Sequence, residues 1–336
     1  MARSSEYHVE IVAIGLEGQQ TNLTQSDSFN ASPAPSSDGR IAFVSDRGGT
    51  PDLYVMDGNG GNVQRLTTNA YVQGGAEDLE VSHVAWSPHG HTIAFDSVWG
   101  PVEPNCPQHC DGWAVSVVRS DGSGLGQIAQ NVRTPAWSPN GTRLAYDSGV
   151  EVVDYDDAGS ITIAKPDGSG AVQVPAPSGS TQNGPVWSPR GDEIAFAAQR
   201  PGDYPPTSVY VVRPDGTHKR RVDTGHDPTW SPDGRRIAFV YDYRLVTIDA
   251  SGKRRRRLSP KGEFVVSAAW SPTGDAIAYV AGTKRDPDEY LPRNLRIETV
   301  RSDGTHVRVL AREPYLFVDE PPVWTANGRR ILVSVW

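Results

Sequence analysis

The sequence of 336 residues contains only two cysteines and two methionines, and it has no run of 18 apolar residues. Without such a run no segment can form a membrane-spanning helix, so we expect no membrane insertion. The N-terminus also lacks the charged head and apolar core of a signal peptide. We expect a periplasmic or secreted protein whose signal peptide has been removed, and a cytoplasmic location is the alternative.

An excess of basic charge is missing as well. Lys and Arg number 32 against 40 Asp and Glu, which gives a formal net charge of -8. A mildly acidic chain offers no electrostatic attraction to nucleic acid, so we expect no nucleic-acid partner. The five consecutive basic residues 253–257 are a local exception, and a solvated turn with an edge strand explains them better than a polyanion site.

The two cysteines, Cys106 and Cys110, lie four residues apart in the segment NCPQHC. This spacing within a proline-containing loop permits a small disulfide, which would indicate an oxidising compartment. Free thiols, or a metal site formed by both thiolates and His109, are the alternatives. We expect the disulfide.

One phrase recurs along the chain, for example as TWSPDGRRIAFV from Thr229. A seventh copy from Ala34 has lost its tryptophan and one residue, and Pro35 stands in the tryptophan's place. The other six copies carry Trp86, Trp137, Trp187, Trp230, Trp270 and Trp324, which are 40 to 54 residues apart. A repeat of this length is typical of the blades of a β-propeller.

Each repeat contains the signals of four short strands. Stretches such as RRIAFV and VYVVR are rich in β-branched and aromatic residues, and Pro-Asp-Gly or Ser-Asp-Gly segments between them predict tight turns. Residues 7–24 read as the second half of a repeat, which would complete the blade begun at 323–336. We therefore predict an all-β, seven-bladed propeller over residues 1–336, closed by strands from both termini.

The WSPDG–IAF–DG pattern resembles the TolB-type, WD-like β-propeller repeat over almost the whole chain. The resemblance does not extend to the N-terminal α/β domain of TolB, and TolB-type propellers have six blades. Partner binding through that extra domain is therefore not implied. The repeat also resembles the propellers of prolyl-oligopeptidase-like peptidases and of oligogalacturonate lyases. No G-x-S-x-G segment occurs, which argues against peptidase activity.

Function is expected where the copies differ, on the face that carries the long loops between the second and third strands of each blade. These loops are rich in aromatic residues beside carboxylates, a combination that suits saccharides. The alternative is that the rings only hold the loops in place. As ligand-binding residues we predict the aromatic Trp99, Trp113, Tyr155, Tyr241 and Tyr290, together with Asn183 and Asp227.

The residues three and four positions before each motif tryptophan are expected to line the central channel. They include His83, Arg133, His226 and Glu320. His83, His226 and Glu320 suit a divalent metal such as Mn²⁺, Zn²⁺ or Ca²⁺. In a catalytic interpretation His83 or His226 abstracts a proton while Arg133 holds a substrate carboxylate. This arrangement looks like that of oligogalacturonate lyases, and the alternative is a polar, water-filled channel.

Asp96 and Asp147 follow the second strand of neighbouring blades. They suit a carboxylate pair or Ca²⁺ ligands, but capping of a loop is the favoured interpretation. Taken together, the residues predict a monomeric, non-catalytic propeller that binds a protein or saccharide on its loop-bearing face. A metal-assisted lyase working at the channel mouth is the alternative.

Overall fold

The computed structural model of the protein describes residues 8–68, 83–99, 112–148, 159–175, 180–199, 208–283, 293–312, 316 and 320–336. These residues form seven four-stranded antiparallel sheets. The predicted all-β, seven-bladed propeller is confirmed. In the described ranges there is no helix of the length and hydrophobicity needed to cross a membrane.

The strands are numbered in chain order, and the blades are numbered from the first complete one. Blades 1 and 2 contain β3 (Asn30–Pro35), β4 (Ile41–Ser45), β5 (Asp52–Met56), β6 (Gln64–Arg65), β7 (Val84–Trp86), β8 (Thr92–Trp99), β9 (Gly112–Arg119) and β10 (Gly126–Gln130). Blades 3 and 4 contain β11 (Arg133–Trp137), β12 (Leu144–Asp147), β13 (Ile161–Ala164), β14 (Val172–Val174), β15 (Thr181–Trp187), β16 (Ile194–Gln199), β17 (Ser208–Val212) and β18 (Arg220–Thr224).

The remaining three blades complete the ring. Blades 5 and 6 contain β19 (His226–Trp230), β20 (Arg236–Tyr241), β21 (Arg244–Asp249), β22 (Arg256–Arg257), β23 (Phe264–Trp270), β24 (Ala276–Thr283), β25 (Arg293–Arg301) and β26 (Arg308–Arg312). Blade 7 contains β27 (Val323–Trp324), β28 (Arg330–Val335), β1 (Glu10–Gly15) and β2 (Gln20–Asn22). The termini thus share one sheet, in which β1 pairs with β28 from Glu10↔Val335 to Gly15↔Arg330.

The repeated Ser-Pro-Asp-Gly segment forms the turn between the first two strands of a blade. In blade 5 the Gly234 amide donates to the Ser231 carbonyl (2.8 Å), and the Ser231 hydroxyl donates to the Asp233 carboxylate (2.6 Å). Gly234 has a φ of 64°, a left-handed conformation that glycine adopts without a steric penalty. The motif therefore forms a tight turn, as its position between two predicted strands indicates.

The hydrophobic core lies between the blades rather than inside any one of them. Phe43 and Met56 of blade 1 pack with Ile11 and Leu332 of blade 7. On its other face blade 1 packs Leu53 against the second blade. Each sheet buries both of its faces against neighbours, so no blade has a core of its own.

The motif tryptophans join successive blades. The Trp230 indole N–H donates to the Val186 carbonyl of blade 4 (3.1 Å), and four other indoles make the equivalent bond. Trp270 is the exception, because its buried indole nitrogen has no hydrogen-bond partner among the described residues. These bonds fix the distance between neighbouring first strands, which line the central channel.

This difference provides a test of the indole bond. Trp230→Phe removes a made hydrogen bond, whereas Trp270→Phe removes a buried donor that has no partner among the described residues; the two side chains are similarly buried (5% and 6% exposed). We expect Trp230→Phe to lower the free energy of unfolding by about 1 kcal/mol more than Trp270→Phe. Urea denaturation of both variants measures the difference, and equal losses would contradict the prediction.

Candidate functional site

A cavity of about 1650 Å³ lies on the propeller axis, and all seven blades contribute to its wall. It extends from the first residues of the innermost strands to the turn prolines Pro189, Pro232 and Pro272. Six predicted site residues line it: His83, Asn183, His226, Asp227, Tyr241 and Glu320. The tryptophan spacing thus predicted correctly that the strand positions of His83, Asn183, His226, Asp227 and Glu320 line the channel.

His83 forms a pair with Asp96 behind it. The His83 Nδ1 lies 2.9 Å from the Asp96 carboxylate, which is fully buried, while about half of the imidazole (49%) is accessible from the cavity. The enclosing wall lowers the pKa of His83, but the charge and hydrogen bond of Asp96, with a further contribution from Asp147, outweigh both this effect and the nearby Arg133. The pKa of His83 is therefore raised.

Asp96 and Asp147 each connect two blades. The Thr134 amide of blade 3 donates to Asp96 of blade 2 (3.2 Å), and the Gly184 amide of blade 4 donates to Asp147 of blade 3 (3.1 Å). The Thr134 hydroxyl also donates to Asp147. Both carboxylates thus hold the start of the next blade's innermost strand, a capping role at a blade junction.

The amides that they hold lie in β-bulges. In four blades the innermost strand is irregularly paired just before the position of the motif tryptophan, which is Pro35 in blade 1. One residue there has a left-handed backbone that leaves its amide outside the ladder. These residues are Ser32 (φ 55°), Thr134 (50°), Gly184 (60°) and Asp227 (50°). Their amides need acceptors from elsewhere.

Glu320 supplies the acceptor at the junction of blades 7 and 1, where the motif tryptophan is missing. Its carboxylate accepts from the Ser32 amide (2.6 Å), the Ser32 hydroxyl (2.9 Å) and the Ser334 hydroxyl (2.6 Å). Desolvation raises the pKa of Glu320 and outweighs these hydrogen bonds and the nearby His83. Both carboxylate oxygens of Glu320 thus accept hydrogen bonds at this blade junction.

The predicted metal site of His83, His226 and Glu320 is not assembled. His226 bonds through Nδ1 to the Asp227 carboxylate (2.9 Å), while the other two side chains bond to Asp96 and to Ser32, respectively. Among the residues that the structure describes, no three His, Cys, Asp or Glu side chains are grouped so that they can hold a metal ion. The described donors therefore do not fit a divalent ion.

Arg133 and Trp113 contact each other. The Arg133 guanidinium carbon lies 3.8 Å from the centre of the Trp113 ring, a close cation–π contact. Arg133 was predicted to hold a substrate carboxylate and Trp113 to stack on a ligand. The structure places both in a contact between blades 2 and 3 instead, and neither lines the central cavity among the described residues.

Among the described residues, Tyr241 is the predicted aromatic residue that lines the cavity. The Arg255 guanidinium carbon lies 4.2 Å from its ring centre, and the neighbouring Tyr243, exposed at the rim, was not among the predicted ligand contacts. Tyr243 packs on Phe264 with ring centres 5.2 Å apart. Four predicted residues lie outside the described residues, namely Tyr155, Tyr290, Cys106 and Cys110, and the side chain of Trp99 does so too.

A ring of seven four-stranded blades around an axial cavity defines a seven-bladed β-propeller. Within that class the chain belongs to the TolB β-propeller domain family, whose sequence model matches residues 103–335. The matched range begins between β8 and β9 of blade 2 and ends with the last residue of β28.

Solved structures give the same fold. A putative TolB from Agrobacterium tumefaciens is 18% identical with a TM-score of 0.57, and the alignment covers 97% of each chain. An oligogalacturonate lyase in complex with manganese is 14% identical with a TM-score of 0.65, covering 100% of this chain and 98% of the lyase. TolB from Acinetobacter baumannii is 16% identical with a TM-score of 0.52, covering 75% and 64%. No curated protein matches the chain significantly.

The His83–Asp96 pair predicts a specific titration. Because the carboxylate raises the pKa of His83 above 6.5, the stabilisation from this pair is fully present below pH 6.5 and is lost as the pH rises through the folded value. Asp96→Asn removes the charge, so the pKa of His83 should fall. NMR titration of the imidazole measures it. Asp167→Asn, in a turn at the perimeter of blade 3, is the control and should leave the pKa unchanged.

Glu320 predicts a different dependence of stability on pH. Its folded pKa is raised above 4.5, so its contribution to stability is present below pH 4.5 and declines as the pH rises through the folded value. The stability of the wild type relative to Glu320→Gln should therefore decrease over that range in denaturation experiments. Glu17→Gln is the control, because Arg308 lowers the pKa of Glu17. A pH-independent difference for Glu320→Gln would contradict the assignment.

Proposed function

We propose that the protein is a non-catalytic, TolB-like propeller that binds a protein or saccharide ligand in the axial cavity at its loop-bearing face. The observation that carries this proposal is that some polar groups of the cavity wall hold blades together while others face the cavity. The carboxylates of Asp96, Asp147 and Glu320 are engaged in blade junctions. Other polar groups of the wall, those of Asn183, Asp227 and Tyr241, face the cavity and suit recognition of a ligand.

Those groups lie on neighbouring blades. Asn183 is exposed at the start of β15, and Asp227 is exposed at the start of β19 in the next blade. Tyr241 adds a ring to the same part of the wall. An amide, a carboxylate and an aromatic face together provide hydrogen bonds and a stacking surface, which is how concave sites fix the orientation of a ligand.

The metal-assisted lyase alternative has less support. It needs a ligand set that the described residues do not provide, and its substrate-binding Arg133 stacks on Trp113. The fold shared with the manganese-bound lyase is compatible with either function, because one fold supports many activities. As part of the proposal we infer a monomer that works in the periplasm or as a secreted protein.

A two-armed binding screen tests the proposed function. Immobilised protein is exposed to a panel of oligosaccharides and, separately, to a library of peptides. We expect a ligand whose affinity falls at least tenfold in Asn183→Ala/Tyr241→Ala, about what the loss of one or two good contacts costs. Asp121→Ala/Asp167→Ala, on turns away from the cavity, is the matched control and should bind normally.

The same ligand must come back chemically unchanged. Incubation with the wild type, followed by mass spectrometry, should recover it intact. Conversion by the wild type that is lost in His83→Ala would show an enzyme and overturn the proposal. So would a ligand that binds the Asn183→Ala/Tyr241→Ala variant as tightly as the wild type.

A further inference from the structure

Blade 5 has the shortest connection between its second and third strands among the blades formed from contiguous chain. Only residues 242 and 243 separate β20 from β21, whereas residues 46–51 separate β4 from β5 and the corresponding stretches of the other blades are longer. Asp242 and Tyr243 both have a left-handed backbone (φ 48° and 54°), as the two central residues of a type I′ hairpin turn must have. Both of them line the axial cavity.

Tyr243 is an unfavourable residue for this turn. A positive φ crowds the side chain of a bulky residue against its own backbone, so Asn and Gly usually occupy such positions. Among the described residues, Tyr243 is the only Tyr, Phe or Trp with a positive φ. Backbone strain persists where the surroundings hold it in place, and it is concentrated at functional sites. A tyrosine at this position therefore indicates a use for its ring.

The Tyr243 ring is held at the rim of the cavity by blade 6. It packs on Phe264 with ring centres 5.2 Å apart, and the Tyr243 carbonyl accepts from the Val265 amide (2.9 Å). The Tyr243 side chain is nevertheless 37% exposed, and the other exposed large hydrophobic side chains of the described residues do not line the cavity. Tyr243 thus presents a fixed aromatic surface at the cavity mouth.

The charged groups of the cavity wall limit the kind of ligand. In the part of the chain that the structure describes, no Lys or Arg side chain lines the cavity. The two histidines that line it, His83 and His226, each bond to a carboxylate. Asp227 and Asp242 of blade 5 line the cavity with side chains that are 59% and 56% exposed. Carboxylates accept hydrogen bonds and repel anions, so the wall suits an uncharged ligand with many donors.

We propose that Tyr243 is the platform on which an uncharged saccharide binds at the mouth of the cavity. A pyranose ring has an apolar face of C–H groups, which stacks on the tyrosine, and a belt of hydroxyls, which donate to Asp227 or to Asp242. A peptide backbone donates only one hydrogen bond per residue, so it suits this wall less well. The inference rests on the proposed function and selects the saccharide from its two ligand classes.

The test uses the whole protein at pH 7 and titration calorimetry with five tetrasaccharides. Four are uncharged, built from β-linked glucose, α-linked glucose, mannose and N-acetylglucosamine, and the fifth is tetragalacturonate. We expect one uncharged probe to bind at least tenfold more tightly than tetragalacturonate. Tyr243→Asn should weaken that probe at least tenfold, whereas Tyr243→Phe keeps the ring and should bind within twofold of the wild type. Leu125→Asn, which changes an exposed hydrophobic residue outside the cavity, is the control.

The turn strain distinguishes a ligand contact from a structural one. Asn adopts the left-handed backbone more readily than Tyr, so Tyr243→Asn should lose binding while its urea midpoint stays equal to or above that of the wild type. A lower midpoint with unchanged binding shows that the ring only supports the rim and overturns the inference. Where stability and binding both fall, Tyr243→Trp decides, because a larger ring should bind the probe at least as tightly as the wild type. Weaker binding by that variant overturns the inference.

The outcomes also separate the inference from the proposed function. The inference is overturned if none of the uncharged probes binds, if tetragalacturonate binds as tightly as they do, or if Tyr243→Asn binds normally. If a screened peptide is lost in Asn183→Ala/Tyr241→Ala and is unaffected by Tyr243→Asn, the proposed function stands and only the saccharide platform falls. A saccharide that is lost in Tyr243→Asn and unaffected by Asn183→Ala/Tyr241→Ala supports the platform and contradicts the axial site.

Discussion

The hydrogen bond from a motif indole to a carbonyl of the preceding blade is the interaction on which the ring depends. It is made by five tryptophans at 2.8 to 3.1 Å, and it joins the innermost strands, where the blades come closest together. A blade buries its hydrophobic faces only against its neighbours. The fixed distance between innermost strands therefore sets both the core packing and the width of the channel.

Carboxylates perform a related task nearer the loop-bearing face. Where the tryptophan is missing, between blades 7 and 1, Glu320 accepts two hydrogen bonds from Ser32. Asp96 and Asp147 hold the bulges of blades 3 and 4 in the same way. The carboxylates of Asp96, Asp147 and Glu320 thus hold the framework of the ring together.

The fold could be predicted from the sequence because the tryptophan spacing and the turn residues report on local structure that every repeat shares. The positions lining the channel followed from the same spacing, and His83, Asn183 and Glu320 do lie there. Their partners could not be predicted, because a bulge changes which amides leave the ladder and no single residue type marks it. Trp113 is likewise an aromatic residue of the type that contacts ligands, yet Arg133 from the next blade covers its ring.

The pairing of β1 with β28 has a mechanical consequence. Glu10 lies opposite Val335, so both chain ends leave the β1–β28 pair at the same end of the strands. Gly15 lies opposite Arg330 at the other end. Tension applied between the ends would load these strands one hydrogen-bonded pair at a time, as in a zipper, rather than shearing all pairs at once. The ring would therefore open at blade 7 under low force. The other six blades are each formed from one contiguous stretch of chain, and they would unfold afterwards, one after another.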